Sequence, residues 1–128
     1  MLTVIDCMQA GVAFHHAGLD PNDRRIVEDA YLKGHVSVLC CTSTLSVGVN
    51  LPCHTVIIKN TVTYQTDIGA CKEYSDLDIM QMLGRAGRPQ FDDSAIAVIM
   101  TRQEKVSRYE RMVQGQETLE SKCVLPLC

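Results

Sequence analysis

The sequence predicts an α/β domain: a parallel sheet with helices on both faces, incomplete at both ends. Three observations carry this. Short β-branched runs alternate with amphipathic helical stretches along 128 residues, a length that suits one domain. Capping and stop residues stand where that alternation needs them. Residues 95–100 (AIAVIM) are an unbroken apolar run, the pattern of a strand covered on both faces.

The elements follow in order. The chain opens on residues that resemble the tail of a helix. Residues 12–15 (VAFH) read as a short strand. Asp20 is a good N-cap, Pro21 fits the first helical position, and Asp23 sits where a capping box wants an acid. Ile26, Val27, Ala30 and Tyr31 then share one helical face, while Arg24, Arg25, Glu28 and Lys33 lie largely off it. Gly34 is the C-terminal stop. Residues 36–41 (VSVLCC) read as a buried strand and 55–59 (TVIIK) as another. Residues 60–74 are polar and irregular and read as an insertion loop. Ser75 caps the next helix, with Asp78 three residues on, and the helix runs to about Leu83. Gly84 to Pro89 is a turn, and Gln103 to Val113 the last clear helix. The order is β-α-β-β-α-β-α, with no internal repeat or linker. The closing KCVLPLC finishes no element, so the chain reads as most of one domain cut from a longer protein.

Composition excludes several classes. Lys plus Arg is 12 and Asp plus Glu 15, a net charge of −3, which argues against binding nucleic acid by bulk charge. Apolar residues are 46% and charged residues 21%, ordinary globular usage rather than disorder. The longest apolar run has six residues, against roughly 20 for a membrane-spanning helix. The N-terminal MLTVIDCMQA lacks a basic stretch and carries Asp6, so a secretory signal is not supported. The seven cysteines form no C-x-x-C pair, and their spacing suits neither a zinc site nor a disulfide framework. Cys40 and Cys41 are expected to act as small buried hydrophobes, and no metal site is expected. A reducing, intracellular compartment follows.

Three segments carry chemistry. Thr42 to Pro52 (TSTLSVGVNLP) follows a strand directly and holds four hydroxyls and no charge. In an open α/β sheet, ligands bind beyond the carboxyl ends of the strands. Oγ and backbone N–H donors there suit a phosphate, which lets an acidic protein hold a nucleic-acid backbone. On composition alone the segment also reads as an ordinary capped turn. Gln81 to Phe91 (QMLGRAGRPQF) sets two arginines three apart on a glycine-rich turn. Acids are absent until Asp92, so the guanidinium groups do not look internally paired. Arginine is the natural bidentate partner of phosphate oxygens. In Phe14 to Asp20 (FHHAGLD), two adjacent histidines at a strand end point apart. Packing or a phosphate-side hydrogen bond suits them better than a metal.

HHAGL, TSTLSVGVNLP and QMLGRAGRPQFD, in this order and spacing, resemble motifs IVa, V and VI of superfamily-two helicases. The likeness is to the second RecA-like domain and covers roughly residues 9–121. Within that branch, EYSDLDIMQMLGRAGRPQFDDSAIAVIMTR and YERMVQGQETLES look most like the meiotic crossover-promoting DNA helicases of the Mer-three type. The Brr-type RNA helicases share HTVIIK and QMLGRAGRPQ. The resemblance implies that Arg85 and Arg88 reach the γ-phosphate of ATP across the cleft between two RecA-like domains, Arg88 as the arginine finger. Gln81 would hydrogen-bond near the phosphates or link the two halves. Gly48 and Asn50 match the part of motif V near the nucleotide, although related families carry an Asp at the position of Asn50. Thr42, Ser43 and Thr44 would hold the DNA backbone, and His16 and Arg24 would line the strand path.

The resemblance also sets the frame. Residues 1–121 correspond to the helicase C-terminal domain lacking its first strand, and 122–128 to a truncated tail. No G-x-x-x-x-G-K-[ST] and no D-E-x-H-type acid pair occurs in the chain. The bulk of ATP and Mg²⁺ binding would fall to the first RecA-like domain. Expected partners are single-stranded or branched DNA, that first domain and downstream helical domains, in the nucleus and away from membranes. Two other readings stand beside this one. They are a truncated non-catalytic nucleic-acid or protein-binding module, and a cysteine/histidine metal or redox protein.

Overall fold

A computed structural model describes residues 4–43, 45, 51–66, 69–88 and 90–115. The elements are α1 (Val4–Gln9), β1 (Val12–His15), α2 (Pro21–Leu32), β2 (Val38–Cys41), β3 (Thr55–Ile58), β4 (Val62–Gln65), β5 (Ala70–Glu73), α3 (Asp76–Leu83), β6 (Ile96–Ile99) and α4 (Val106–Val113). A 3₁₀ turn at Gln103–Lys105 leads into α4.

Local chemistry explains the helix ends. Asp20 Oδ1 accepts from Asn22 N at 2.8 Å, and Pro21 opens α2, where its missing N–H costs nothing. Gly34, at φ +76°, lets the chain leave that helix in a left-handed step that other residues adopt at a cost. Ser75 and Asp78 form a reciprocal capping box. Asp78 N donates to Ser75 Oγ, and Ser75 N to Asp78 Oδ2, both at 3.1 Å.

The strands pair as two parallel ladders and one hairpin. β1 lies parallel to β2, with Val12 opposite Val38 and His15 opposite Cys41. β3 lies parallel to β6, with Thr55 opposite Ile96 and Ile58 opposite Ile99. Each ladder has its own core. Val27 and Ala30 of α2 close on Ala13 and Val36, flanked by Met8, Tyr31 and Leu39. Ile79 of α3 and Tyr109 and Met112 of α4 close on Ile58, flanked by Val56, Tyr74 and Ile99. Burying a side chain such as Val27 or Ile79 contributes roughly 1.5–3 kcal/mol.

Four expectations need correction. Residues 60–74 are not a plain loop, for β4 and β5 pair antiparallel, Val62 opposite Glu73 and Gln65 opposite Ala70. The β-branched Thr61-Val62-Thr63 and Tyr64 favour extended backbone, and their polarity hid it. The hairpin is tied down by buried Thr61, whose Oγ1 lies 3.1 Å from Thr101 Oγ1, and by Glu73, which pairs with Lys105 and Arg108. Second, the AIAVIM strand is not covered on both faces, since Ile96, Val98 and Met100 are exposed. Third, the VSVLCC strand is mostly exposed, Cys40 and Cys41 included. Both strands have a single ladder partner among the described residues, so an apolar run shows a strand but not what covers it. Fourth, Ile26 is exposed, because the buried face of α2 narrows to Val27 and Ala30.

Among the described residues, the strands form three two-stranded ladders rather than one wide sheet. No helix there is long and apolar enough to cross a membrane.

Candidate functional site

Two groups of sequence-selected residues come into view. The first stands at the carboxyl ends of the parallel strands β1 and β2. Thr42 N donates to His15 O at 3.2 Å, so the turn after β2 is bonded to the end of β1. Thr42 O in turn accepts from Leu45 N at 3.1 Å. This brings Thr42 and Ser43 beside His15 and His16. Thr42 is exposed and Ser43 half-buried.

The adjacent histidines point apart, as alternation along a strand requires. His15 is buried and donates from Nε2 to Glu28 Oε1 of α2 at 2.8 Å. Half-buried His16 stacks on Phe14, with ring centroids 5.9 Å apart, and its Nδ1 accepts from Gly18 N. Arg24, on the first turns of α2, is half-buried, and its Nε has no hydrogen-bond partner among the described residues. Thr44, Gly48 and Asn50 lie outside the described residues.

The second group is the turn that ends α3. Gly84 N, Arg85 N and Ala86 N bond back to Met80 O, Met82 O and Leu83 O at 2.9, 3.1 and 2.9 Å. Gly87 follows at φ +101°, and a Cβ there would meet Ala95 Cβ at 3.4 Å. Only glycine takes that step without strain. The turn is then stitched to Cys53, which belongs to none of the three segments that carry chemistry in the sequence. Cys53 N donates to Arg85 O at 3.0 Å, and Gly87 N donates to Cys53 O at 2.7 Å. One short parallel bridge therefore locks the residue that follows the hydroxyl-rich segment to the arginine turn.

Arg88 is internally paired, contrary to the expectation from sequence. Its Nε and Nη2 donate to Asp92 Oδ2 and Oδ1, each at 2.8 Å, and its backbone N donates to Oδ2 at 3.1 Å. Phe91 N and Asp92 N both bond to Arg88 O at 2.9 Å, which brings Asp92 back to Arg88 and sets the two side chains face to face. The fork holds the Asp92 carboxyl at about 2, well below its usual 3.8, against the opposing effect of burial. Arg88 also lies 5.9 Å from the exposed Phe91 ring. Arg85 is half-buried, and Gln81 is exposed on α3. Tyr31 of α2 reaches this group too. Burial and the adjacent Cys53 push its phenol up to about 12, and burial raises the Cys53 thiol. Neither group therefore ionises near neutral pH. Among the described residues, no three His, Cys, Asp or Glu side chains gather as a metal site.

The Asp92 shift gives a stability prediction. A depressed carboxyl stabilises the fold above its ordinary value and loses that contribution as pH falls through its folded value. The unfolding midpoint of the parent should exceed that of Asp92→Asn at pH 5 and converge with it as pH approaches 2. Parallel midpoints across that range would contradict the assignment.

The chain matches the family of helicase conserved C-terminal domains over residues 2–90. It is 53% identical over 116 residues to the probable ATP-dependent DNA helicase HFM1 of Xenopus tropicalis, covering 91% of this chain and 8% of that protein. It is 51% identical over 122 residues to the ATP-dependent DNA helicase MER3 of Saccharomyces cerevisiae, covering 95% and 10%. It is 48% identical over 122 residues to the DExH-box ATP-dependent RNA helicase DExH12 of Arabidopsis thaliana, covering 95% and 6%. The chain thus spans a tenth or less of the length of these relatives.

Proposed function

Because the chain belongs to the family of helicase conserved C-terminal domains, we propose that it serves as the second RecA-like domain of an ATP-dependent, 3′-to-5′ DNA helicase acting in meiotic recombination in the nucleus. The domain would occupy residues 1–121, its parallel strands joined into one sheet with helices on both faces. The observation that carries the catalytic part is the Arg88 fork. Its guanidinium is held on one edge by Asp92, its side chain is 46% exposed, and it ends the glycine turn after α3. A cation so placed suits charge developing on a transferring phosphoryl group. Arg85 and Gln81, on the same turn and helix, would complete that contact.

Thr42, Ser43 and His16 gather where an α/β sheet binds ligands, and would grip a single strand through its backbone together with Thr44 and Arg24. Gly48 and Asn50 keep the nucleotide-side roles that the resemblance implies. The bridge through Cys53 would couple the two functions, since Cys53 follows the hydroxyl-rich segment directly in the chain and shares hydrogen bonds with the arginine turn. Domain closure on ATP and reopening after hydrolysis would then give stepwise movement along the strand. The described residues do not fit Mg²⁺, because Arg88 occupies both Asp92 oxygens, Lys105 and Arg108 hold Glu73 and Asp76, and no three His, Cys, Asp or Glu side chains gather there. The metal and the triphosphate would sit chiefly on a first RecA-like domain.

Purified full-length protein tests this reading. ATP turnover should rise with single-stranded DNA, and a duplex with a 3′ tail should unwind. Stimulation by RNA alone would favour the second reading, an RNA helicase of the Brr type, which the Arabidopsis relative motivates.

Two further outcomes concern the 128-residue chain by itself. It should not hydrolyse ATP, since it lacks a G-K-[ST] phosphate loop. Turnover above background in chain freed of contaminating ATPases would refute this. Its single-strand affinity should be weak and fall shallowly with salt, because the strand-side residues are mainly hydroxyls. A slope equivalent to about six or more neutralised phosphates would show a different contact surface.

A further inference from the structure

Arg88 offers two hydrogen-bonding edges. Asp92 closes the side-on edge, Nε with Nη2, through two bonds of 2.8 Å. A guanidinium has five N–H groups, so the end-on edge, Nη1 with Nη2, keeps a complete fork for a second anion. Asp92 also bonds the Arg88 backbone N, so one carboxylate pins both the side chain and its root.

The carboxylate is itself held in place. Its side chain is 8% exposed, whereas that of Arg88 is 46% exposed, so the acid lies inside and the base points outward. His54 Nδ1 lies 3.5 Å from Asp92 Oδ1, and His54 O accepts from Ile96 N at 3.0 Å, which ties this backing to β6. The short turn from Arg88 O to Phe91 N and Asp92 N fixes the spacing. An unheld arginine samples many rotamers, and a group that stabilises a transition state is effective when it is already oriented.

We infer that Asp92, backed by His54, is a positioning residue that grips Arg88 by its side-on edge and leaves the end-on edge to a phosphoryl group. The inference rests on the finger role proposed above for Arg88. A pair formed to keep Arg88 away from nucleotide predicts the opposite effect, so the two are separable.

The test is a double-mutant cycle on DNA-stimulated ATP turnover in the full-length protein, using the parent, Asp92→Asn, Arg88→Ala and the double variant. Asp92→Asn should lower kcat about 10- to 100-fold, the scale on which partners that orient metal ligands act. KM for ATP should stay within about threefold, because the contact matters mainly in the transition state. In the Arg88→Ala background the same substitution should have no further effect. An unchanged or raised kcat in Asp92→Asn, or an equal loss in both backgrounds, overturns the inference. Near-normal turnover in Arg88→Ala overturns the finger role itself, and the positioning role falls with it. Collapse in Arg88→Ala with Asp92→Asn intact overturns the positioning role alone. Should Asp92→Asn unfold, Asp92→Ser removes the carboxylate with a smaller side chain and is read in the same cycle against the same outcomes.

Discussion

Replacing Arg88 by Ala in the full-length protein is expected to lower ATP turnover by about 10³- to 10⁵-fold, the range for loss of an arginine finger. Arg88→Lys should not rescue it. A lysine keeps the charge but has no fork, so it cannot bond both Asp92 oxygens and still present a planar pair of donors. DNA affinity without nucleotide should change little in either variant, since the contact proposed is to phosphate of ATP and not to the strand. Thr44→Ala should do the reverse, weakening the grip on DNA while leaving basal turnover. Arg88→Ala also strands a carboxylate that is 8% exposed, so some stability will be lost with it. Unfolding midpoints must therefore accompany the kinetics. A folded Arg88→Ala protein with near-normal turnover would remove the finger role.

The features legible in the sequence were those set by neighbours in the chain. The Ser75–Asp78 box and the stop at Gly34 depend on a few adjacent residues, and both stand where expected. The strand at residues 96–99 was legible for the same reason, but its exposure was not. Burial depends on what lies beside a strand, and an apolar run says nothing of that. The β4–β5 hairpin was hidden because β4 alternates over only four residues, with Val62 and Tyr64 on one face, and β5 mixes Ala70 with Lys72 and Cys71 with Glu73, so no face reads as apolar along both strands. Thr61-Val62-Thr63-Tyr64 and Gly69, at φ +61°, could have revealed it through propensity and turn chemistry.

At the candidate site the arginines were legible and their surroundings were not. Arg88 and Asp92 are four apart, a spacing that pairs charges when the chain folds back so that Asp92 N reaches Arg88 O. Gly84 and Gly87 suggest an open turn instead. Cys53 was hard to see as an anchor because it acts mainly through its backbone N–H and C=O, with its thiol adding a 3.5 Å contact to Arg85 O. Its own side chain lies against Tyr31, on a helix more than twenty residues away in sequence.

Ile79→Ala is expected to destabilise the 128-residue chain by about 2–5 kcal/mol, the range for truncating a buried Ile. Ile79 is 0% exposed and stands at the centre of the second core, among Ile58, Tyr109 and Met112. Truncation removes the transfer energy of its methyl and methylene groups and leaves a cavity bounded by a strand and two helices, which close only partly around it. The better helix propensity of Ala returns less than about 0.7 kcal/mol, too little to offset the loss. Ile57→Ala is the control, for Ile57 is the neighbour of Ile58 on β3 but is 62% exposed. Its cost should stay near 0.5 kcal/mol. Urea unfolding followed by far-UV circular dichroism gives both values, and equal midpoints would remove Ile79 from the core. The consequence reaches the site, because Ile79 lies in the helix whose last turn carries Gly84 and Arg85. When α3 loosens, the bridge from Cys53 to the arginine turn loses its fixed partner, so in the full-length protein Ile79→Ala should depress turnover at temperatures below its own unfolding midpoint.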